Sequence, residues 1–316
     1  MTLRPERFSR RKAGLHHNER NIVMPLHMRA KRFAPWWFKI AAKLFLARLP
    51  ANYSFWKRIH IFEHGRMERP EYALGIFEEH FNLVKPPPGF VMVELGPGDS
   101  LYSALIAKAY GASASFLIDA GNFANQDLQG YFRMARFLAD KGFKLPKLDG
   151  ATSVQDILKA VDATSLTSGL TSLKTLPDRS VDFVWSHAVL EHIRKREFGG
   201  TMEEVSRILK ARGGSSHVVD LKDHLGGALN NLRLSAEFWE ADWVAESGFY
   251  TNRIRFKEML DYFRHARLVP DVIKMDKWDK LPTPRNRLRG SFRDLSEDEL
   301  LISGFTVLLT ADSASG

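Results

Sequence analysis

The chain has 316 residues, of which 44% are hydrophobic, so it is long enough to bury a full core in one or two domains. It contains no cysteine, which excludes disulfides, thiolate metal sites and cysteine nucleophiles. No segment approaches the roughly 18 uninterrupted apolar residues of a membrane-spanning helix, and charges occupy the start of the chain where a signal peptide is apolar. We therefore expect a cytoplasmic protein.

The formal net charge of +9 is concentrated at the N-terminus, where residues 1–60 contain 14 Lys or Arg against Glu6 and Glu19. This basic segment predicts an anionic partner surface, either acidic lipid or nucleic acid, although a solvated arm would carry the same charge. Within it, residues 33–49 follow a helical pattern that ends before Pro50. The apolar face of that helix suits either the surface of the inner membrane or the protein's own core.

A second helix is predicted over residues 70–81, followed by the stiff connector Lys85-Pro-Pro-Pro-Gly89. We place a domain boundary there. Residues 1–85 then form a partly helical extension, and residues 86–316 form the main domain.

The main domain opens with an apolar run that ends in Glu94-Leu-Gly-Pro-Gly98. Residues 90–95 are typical of a buried parallel strand and residues 100–110 of a helix, so the glycines lie in a strand-to-helix turn. Such a turn faces the ligand crevice of an open α/β sheet and lets a ligand approach the backbone. A phosphate-binding loop would need a Gly-Lys-Ser/Thr ending, and a dinucleotide turn would need a third glycine. Glu94 instead favours a ligand with an ammonium group.

The next apolar strand, residues 114–119, ends in Asp119, which lies 21 residues beyond Gly98. An acid at about this distance, at the tip of the second strand, holds ribose hydroxyls in Rossmann-like folds. The two strand ends together predict a ligand that carries a ribose and a cation.

These segments resemble the class I S-adenosylmethionine-dependent methyltransferases. Residues 176–192 are similar to the fourth-strand segment of the type 11 branch, and residues 204–214 resemble the helix and glycine turn before strand five. The resemblance implies a Rossmann-like fold in which a seven-stranded, mostly parallel sheet has helices on both faces, here with a helical N-terminal extension. It also implies S-adenosyl-L-methionine as the cofactor.

The resemblance implies residue roles as well. Gly96, Pro97 and Gly98 would accommodate the methionine part of the cofactor. Glu94 would orient that loop or accept from the amino group, and Asp119 would bind the ribose diol. Ser186 and His187 would border the sulfonium and the acceptor. The predicted cofactor site also includes Asp99, Ser100 and Ala120.

The chain departs from the family in two places. The family commonly has an acid after strand three, whereas residues 168–174 contain none, so Thr171, Ser172 or apolar contacts would take its place. Residues 121–168 form a long connection with helical stretches at 129–139 and 153–161. This insertion is either a lid over the site or a surface elaboration.

Catalysis requires alignment of the acceptor and, for a hydroxyl, removal of its proton. The candidate bases are His187 at the end of strand four and Asp220 and His224 at the end of strand five. Asp223 would join the last two in a magnesium site, but we predict no metal, and a hydrogen-bonded structural pair is an alternative. His217 is less well placed than these residues, because it lies within the strand, and His192 is expected to be structural.

The remaining strands are predicted over residues 268–273 and 305–310, with a helix over 253–266. Residues 226–235 and 246–253 are expected to be exposed and to suit a polyhydroxylated acceptor. Residues 61–67 and 217–253 together resemble bacterial methyltransferases associated with surface polysaccharides.

We therefore expect O-methylation of a sugar or another small polar acceptor, such as a lipid-linked glycan at the inner membrane face. RNA is the alternative acceptor. It is disfavoured because the charge lies in one terminal arm and no Asn-Pro-Pro-Tyr-like tetrapeptide follows strand four. A methyltransferase fold that serves as a non-catalytic binding or scaffold protein is the third possibility.

Overall fold

The computed structural model describes residues 67–312, in which seven strands form one sheet. The strands are β1 (Val91–Leu95), β2 (Ala114–Ile118), β3 (Ala163–Leu166), β4 (Val181–His187), β5 (Leu209–Asp220), β6 (Leu268–Lys277) and β7 (Ile302–Ala311). Their order is β3-β2-β1-β4-β5-β7-β6, and all neighbours are parallel except that β7 is antiparallel to β5 and β6. The predicted basic segment and the helix at residues 33–49 lie outside the described residues.

Helices cover both faces of the sheet. They are α1 (Pro70–Val84), α2 (Tyr102–Ala109), α3 (Leu128–Asp140), α4 (Val154–Ala160), α5 (Gly169–Leu173), α6 (Lys195–Ile208), α7 (Ala236–Trp239), α8 (Asp242–Ala245), α9 (Phe256–His265) and α10 (Glu297–Leu301). None of the helices between residues 67 and 312 is long and apolar enough to cross a membrane.

Two apolar cores follow from the alternation of side chains along the strands. Met92 and Phe183 pack on one face with α1 to α4, whereas Val93 and Val184 pack on the other face with α6 and α9. Because both faces are covered, the central strands are almost continuously apolar. The predicted Rossmann-like sheet is confirmed.

Helix α1 belongs to the first of these cores. Its Phe77 ring meets Phe183 and Trp185 edge-on, with ring centroids 6.0 and 6.2 Å apart. The helix ends where Lys85 adopts a left-handed conformation (φ 52°) and donates its backbone N–H to the Phe81 carbonyl. Helix α1, which precedes the boundary predicted at residue 85, thus packs in the same core as β1 and β4.

The connection at residues 121–168 includes two elements of the central sheet and its crossovers, and is therefore not entirely an insertion. Strand β3 and its crossover helix α4 both lie within it, and Ser153 with Asp156 forms a capping box at the start of α4. The additional helix, α3, buries one face: Tyr131 stacks edge-on against Tyr102 with ring centroids 5.1 Å apart. Helix α3 is thus built into the core.

The expectation that residues 226–235 and 246–253 are largely exposed is wrong. Leu229 and Leu232 of the first range are buried, and Phe249 and Tyr250 of the second lie in a small separate core. Asn252 is also buried, and its side-chain amide donates to the carbonyl oxygens of Leu190 and Ile193 at 2.8 and 2.9 Å. Polar side chains such as Asn252 form hydrogen bonds with backbone groups in the interior. A polar sequence here therefore did not mean that the segment is exposed.

Candidate functional site

The turn after β1 has two glycines in the left-handed region, Gly96 (φ 68°) and Gly98 (φ 63°), and they differ in what surrounds them. A Cβ atom on Gly96 would lie 2.6 Å from both methyl carbons of Val189. A Cβ atom on Gly98 would meet nothing within 4 Å. Gly96 is therefore required by packing, whereas Gly98 leaves open space in which a ligand can approach the backbone.

Asp119 fixes this turn from the neighbouring strand. Its Oδ2 accepts from the Gly98 backbone N–H at 2.9 Å, and its Oδ1 accepts from the Ala120 N–H at 2.7 Å. The parallel pairing of Leu95 with Ile118 brings the carboxyl ends of β1 and β2 side by side. The residues predicted for the two strand tips thus meet in space.

Glu94 is buried, and its Oε2 accepts a hydrogen bond from the Ser103 hydroxyl in α2. Burial raises the pKa of Glu94 to about 8; the Ser103 hydrogen bond opposes this rise and the charge of Asp119 adds to it. Of the two roles expected for Glu94, this contact supports orientation of the loop, because it ties the strand end to the following helix.

Ser100 and Asp99 are mostly buried in the same turn. The Ser100 Oγ accepts from the backbone N–H of Tyr102 at 3.3 Å, and the Asp99 carbonyl accepts from the N–H of Asn125 at 2.9 Å. Both contacts shape the start of α2. Pro97 lies between the two glycines and is buried.

The segment after β3 supplies local contacts to the same edge of the sheet. The Gly169 N–H donates to the carbonyl of Asp119 at 2.8 Å. The Ser172 Oγ accepts from the N–H of Ser168 at 3.0 Å and is buried, so it is committed to its own turn. Thr171 is exposed and stays the candidate for the contact that an acid makes in the family.

Ser186, predicted to border the cofactor, directs its side chain into the core. It is fully buried, and its Oγ lies 2.7 Å from Nδ1 of His217. His217 is buried between Ser186 and Ser215, and burial lowers its pKa to about 3, so it stays neutral. Only the backbone of Ser186 remains available to the site, and His217 is structural.

His187, the last residue of β4, is joined to a histidine that the sequence did not single out. Its Nδ1 lies 3.2 Å from Nε2 of His80 in α1, and Nδ1 of His80 lies 2.9 Å from the Ser216 hydroxyl. His80 is fully buried. His80 lies three residues after Phe77 on the buried face of α1. This spacing is the sequence signal that could have predicted a core contact for His80.

Both rings are held neutral. Burial, followed by the proximity of His187 and His217, lowers the pKa of His80 to about 3, against the Ser216 hydrogen bond. Burial also lowers the pKa of His187, which the charge of Glu79 partly opposes. A hydrogen bond between two neutral rings needs one donor and one acceptor. When His187 donates from Nδ1, its lone pair is on Nε2 and His80 donates in turn to Ser216.

The residues considered at the tip of β5 differ in burial and in their hydrogen bonds. Asp223, considered as a magnesium ligand, is buried: its Oδ1 accepts from the N–H groups of Leu225 and Ala228, and its Oδ2 accepts from Asn230 at 2.6 Å. Asp223 therefore stabilises the loop that follows β5. Asp220 is half-buried, and its Oδ1 accepts from the Lys222 N–H at 2.9 Å.

His224 is exposed and turns toward His192, with ring centroids 4.7 Å apart. The role of Asp220 and His224 as catalytic bases stays a prediction. A cleft of about 260 Å³ lies elsewhere, between the start of α9 and residues 291–299. It is lined by none of the predicted site residues.

Comparison with known proteins gives a family match over part of the chain. Residues 129–215 match the profile of a methyltransferase domain of type 11. No curated protein matches the chain.

Several solved structures are similar. A Bacillus subtilis protein, YcgJ, is 16% identical, with 76% of this chain and 97% of that chain covered and a TM-score of 0.41. The Streptomyces coelicolor geranyl diphosphate C-methyltransferase is 11% identical, with 88% and 99% covered and a TM-score of 0.43. A chain of the Haloferax volcanii complex between the Trm112 activator and a methyltransferase is 19% identical, with 77% and 93% covered and a TM-score of 0.38.

Proposed function

We propose that the chain, which contains a class I S-adenosylmethionine-dependent methyltransferase domain, transfers the methyl group to an oxygen atom of a sugar or another small polar acceptor. The new element of this proposal is that the methyl group goes to an oxygen atom. The observation that carries it is the contact between His187 and His80 at the end of β4.

The residues around the glycine turn fit the cofactor. Open space beside Gly98 would receive its methionine part, and Asp119 at the tip of β2 would bind the ribose hydroxyls. Glu94 would hold the turn through Ser103. When bound, S-adenosyl-L-methionine supplies a methyl group that its sulfonium already activates. The chain must therefore position the acceptor and manage its proton.

An oxygen acceptor is supported by the presence of a neutral base in that position. A hydroxyl must lose a proton as it is methylated, and a neutral imidazole is the usual group that takes it. His187 is half-buried, and with Nδ1 donating to His80 its Nε2 carries the lone pair. His80 would thus keep the base in the productive tautomer, as a positioning residue.

The proposal also includes the chemical class of the acceptor and the place in the cell where it is methylated. A sugar hydroxyl, including that of a lipid-linked glycan, is the acceptor class that we propose. Residues 1–60 would bring the enzyme to the inner membrane face through their basic charge.

The test is incorporation of labelled methyl groups from S-adenosyl-L-methionine into a panel of free glycans, lipid-linked glycans and RNA. The proposal predicts label in a glycan, attached through oxygen, and loss of most of this activity in His187→Ala. Label in RNA, with binding that weakens steeply as salt rises, would replace the sugar by RNA. Cofactor binding without turnover on any member would favour a binding protein.

A further inference from the structure

Three side chains able to bind a metal ion meet beyond the carboxyl ends of β4 and β5. Glu191 and His192 lie in the short 3₁₀ turn Leu190–His192, and His224 lies in the loop after β5. One donor atom from each side chain lies within 4.8 Å of the other two. The roles proposed for Gly98, Asp119 and His187 do not use this cluster, of which only His224 was considered as a base from the sequence.

Glu191 is the buried member, with 2% of its surface exposed. Its Oε1 accepts from the backbone N–H of Asp220 at 3.3 Å, whereas its Oε2 has no hydrogen-bond partner among the described residues. A buried carboxylate oxygen without a partner is costly, and a bound cation removes that cost.

A cavity of about 10 Å³ also borders Glu191, and it has room for a single water molecule. If a water molecule alone binds Oε2 of Glu191, titration with metal ions will show no binding at this cluster.

His192 is held in the tautomer that metal ligation needs. Its Nδ1 lies 2.8 Å from the backbone carbonyl of Tyr250, which can only accept, so Nδ1 carries the proton and the lone pair of the neutral ring is on Nε2. Metal-binding histidines usually donate their second nitrogen to a carbonyl or carboxylate in this way. Tyr250 is itself fixed, because its hydroxyl donates to Glu240 at 2.8 Å.

His224 is exposed and closes the cluster on the solvent side. Its loop is held in place by the three backbone N–H groups that Asp223 accepts. Ligand atoms that share a zinc ion are about 3.5 Å apart, and a rotation of the exposed His224 ring can shorten the distances to that value.

We propose that Glu191, His192 and His224 bind one divalent transition-metal ion, such as Zn²⁺. Two imidazole nitrogens with one carboxylate oxygen suit such an ion better than Mg²⁺ or Ca²⁺, which prefer oxygen ligands. Three protein ligands leave coordination positions open toward solvent. The site lies at the same edge of the sheet as His187, but its existence does not depend on the proposed methyl transfer.

The test is calorimetric titration of the full-length protein, purified without a histidine tag and stripped with chelator, with Zn²⁺ alone and with Co²⁺ alone. The proposal predicts one tight site per chain, with visible Co²⁺ absorption bands. In His224→Ala, the affinity of this site falls at least tenfold. The matched control is His265→Ala, a second exposed histidine, at the end of α9, and it should leave the titration unchanged.

Glu191→Gln provides a second variant, because its amide oxygen can still accept from the Asp220 N–H while the negative charge is removed. It should fold, weaken Zn²⁺ binding and lose the rise in melting temperature that Zn²⁺ gives the wild type. Absence of a tight site in the wild type, or wild-type affinity in both His224→Ala and Glu191→Gln, would overturn the proposal. The second result would place the ion at another site. Cofactor binding, measured in parallel, reports on the methyltransferase function separately.

Discussion

Nε2 of His80 lies 3.2 Å from Nδ1 of His187, although 107 positions separate the two residues in the chain. The contact joins α1 to the end of β4, and Ser216 of β5 extends it through the core. His80 is fully buried and His187 is partly exposed. If His187 acts as a base, the contact gives His80 a role in positioning that base in addition to its packing in the core.

The first prediction concerns this pair. General-base catalysis contributes about 10²- to 10⁴-fold, so His187→Ala should lower kcat by that order without changing cofactor affinity. His80→Leu, which removes the acceptor of the Nδ1 proton, should lower kcat about tenfold and distort the pH profile. His80→Gln, whose amide oxygen can accept the same proton, should recover much of the rate.

These variants are compared by steady-state kinetics over pH, with thermal unfolding as the check on folding. If His80→Leu and His80→Gln lose activity equally while their melting temperatures equal that of the wild type, His80 does not position the base. Unchanged kcat in His187→Ala would remove His187 from catalysis.

The second prediction separates the two glycines of the turn. Gly98→Ala should cost about 1–2 kcal/mol of unfolding free energy, because alanine disfavours a positive φ, and should weaken cofactor binding at least tenfold by filling the open space. Gly96→Ala should cost more stability, because its Cβ also collides with Val189.

Gly142→Ala is the matched control for backbone strain. Gly142 also has a positive φ (89°) with open space around it, but it lies in the loop after α3. It should lose similar stability and bind the cofactor normally. Chemical denaturation and cofactor titration give both quantities, and equal cofactor affinity in Gly98→Ala and Gly142→Ala would contradict the assignment of the turn.

The third prediction is a pH dependence that arises from Glu94. Burial raises its pKa in the folded state from 4.5 to about 8, so the folded protein holds this proton more tightly than the unfolded chain. The contribution of Glu94 to stability is therefore full below pH 4.5 and is lost as the pH rises to 8. Relative to the wild type, Glu94→Gln should gain on the order of a few kcal/mol between pH 5 and pH 8.

Urea denaturation at pH 5 and at pH 8 measures this difference. The matched control is Glu203→Gln, which replaces an exposed carboxylate on α6 and should shift stability equally at both pH values. A constant difference between Glu94→Gln and the wild type over this range would mean that Glu94 is ionised in the folded protein.

Much of the sheet could be predicted because its signals are local. Apolar runs that end in Glu94 and Asp119 located β1 and β2, and glycine spacing located the turn between β1 and α2. Strand β3 was expected just before residue 168 but was given no bounds, because it has only four residues and is partly exposed. The last two strands were located but predicted too short.

The contacts that the sequence did not reveal are tertiary. His80 becomes informative only when α1 packs against the ends of β4 and β5, which no local pattern encodes. Asn252 looked like a surface residue, but its amide satisfies two backbone carbonyls in the interior. Glu191 lay within the recognised fourth-strand segment, and its unpaired oxygen is evident only once its neighbours are placed.

The most direct test of the central claim is calorimetric titration of the full-length protein with S-adenosyl-L-methionine and S-adenosylhomocysteine. The account predicts micromolar binding of both ligands by the wild type and by Asp140→Ala, which replaces an exposed acid at the end of α3. It predicts at least a tenfold loss in Asp119→Ala, because that carboxylate both fixes Gly98 and would hold the ribose. No binding by folded wild-type protein, or equal binding by Asp119→Ala, would contradict the account.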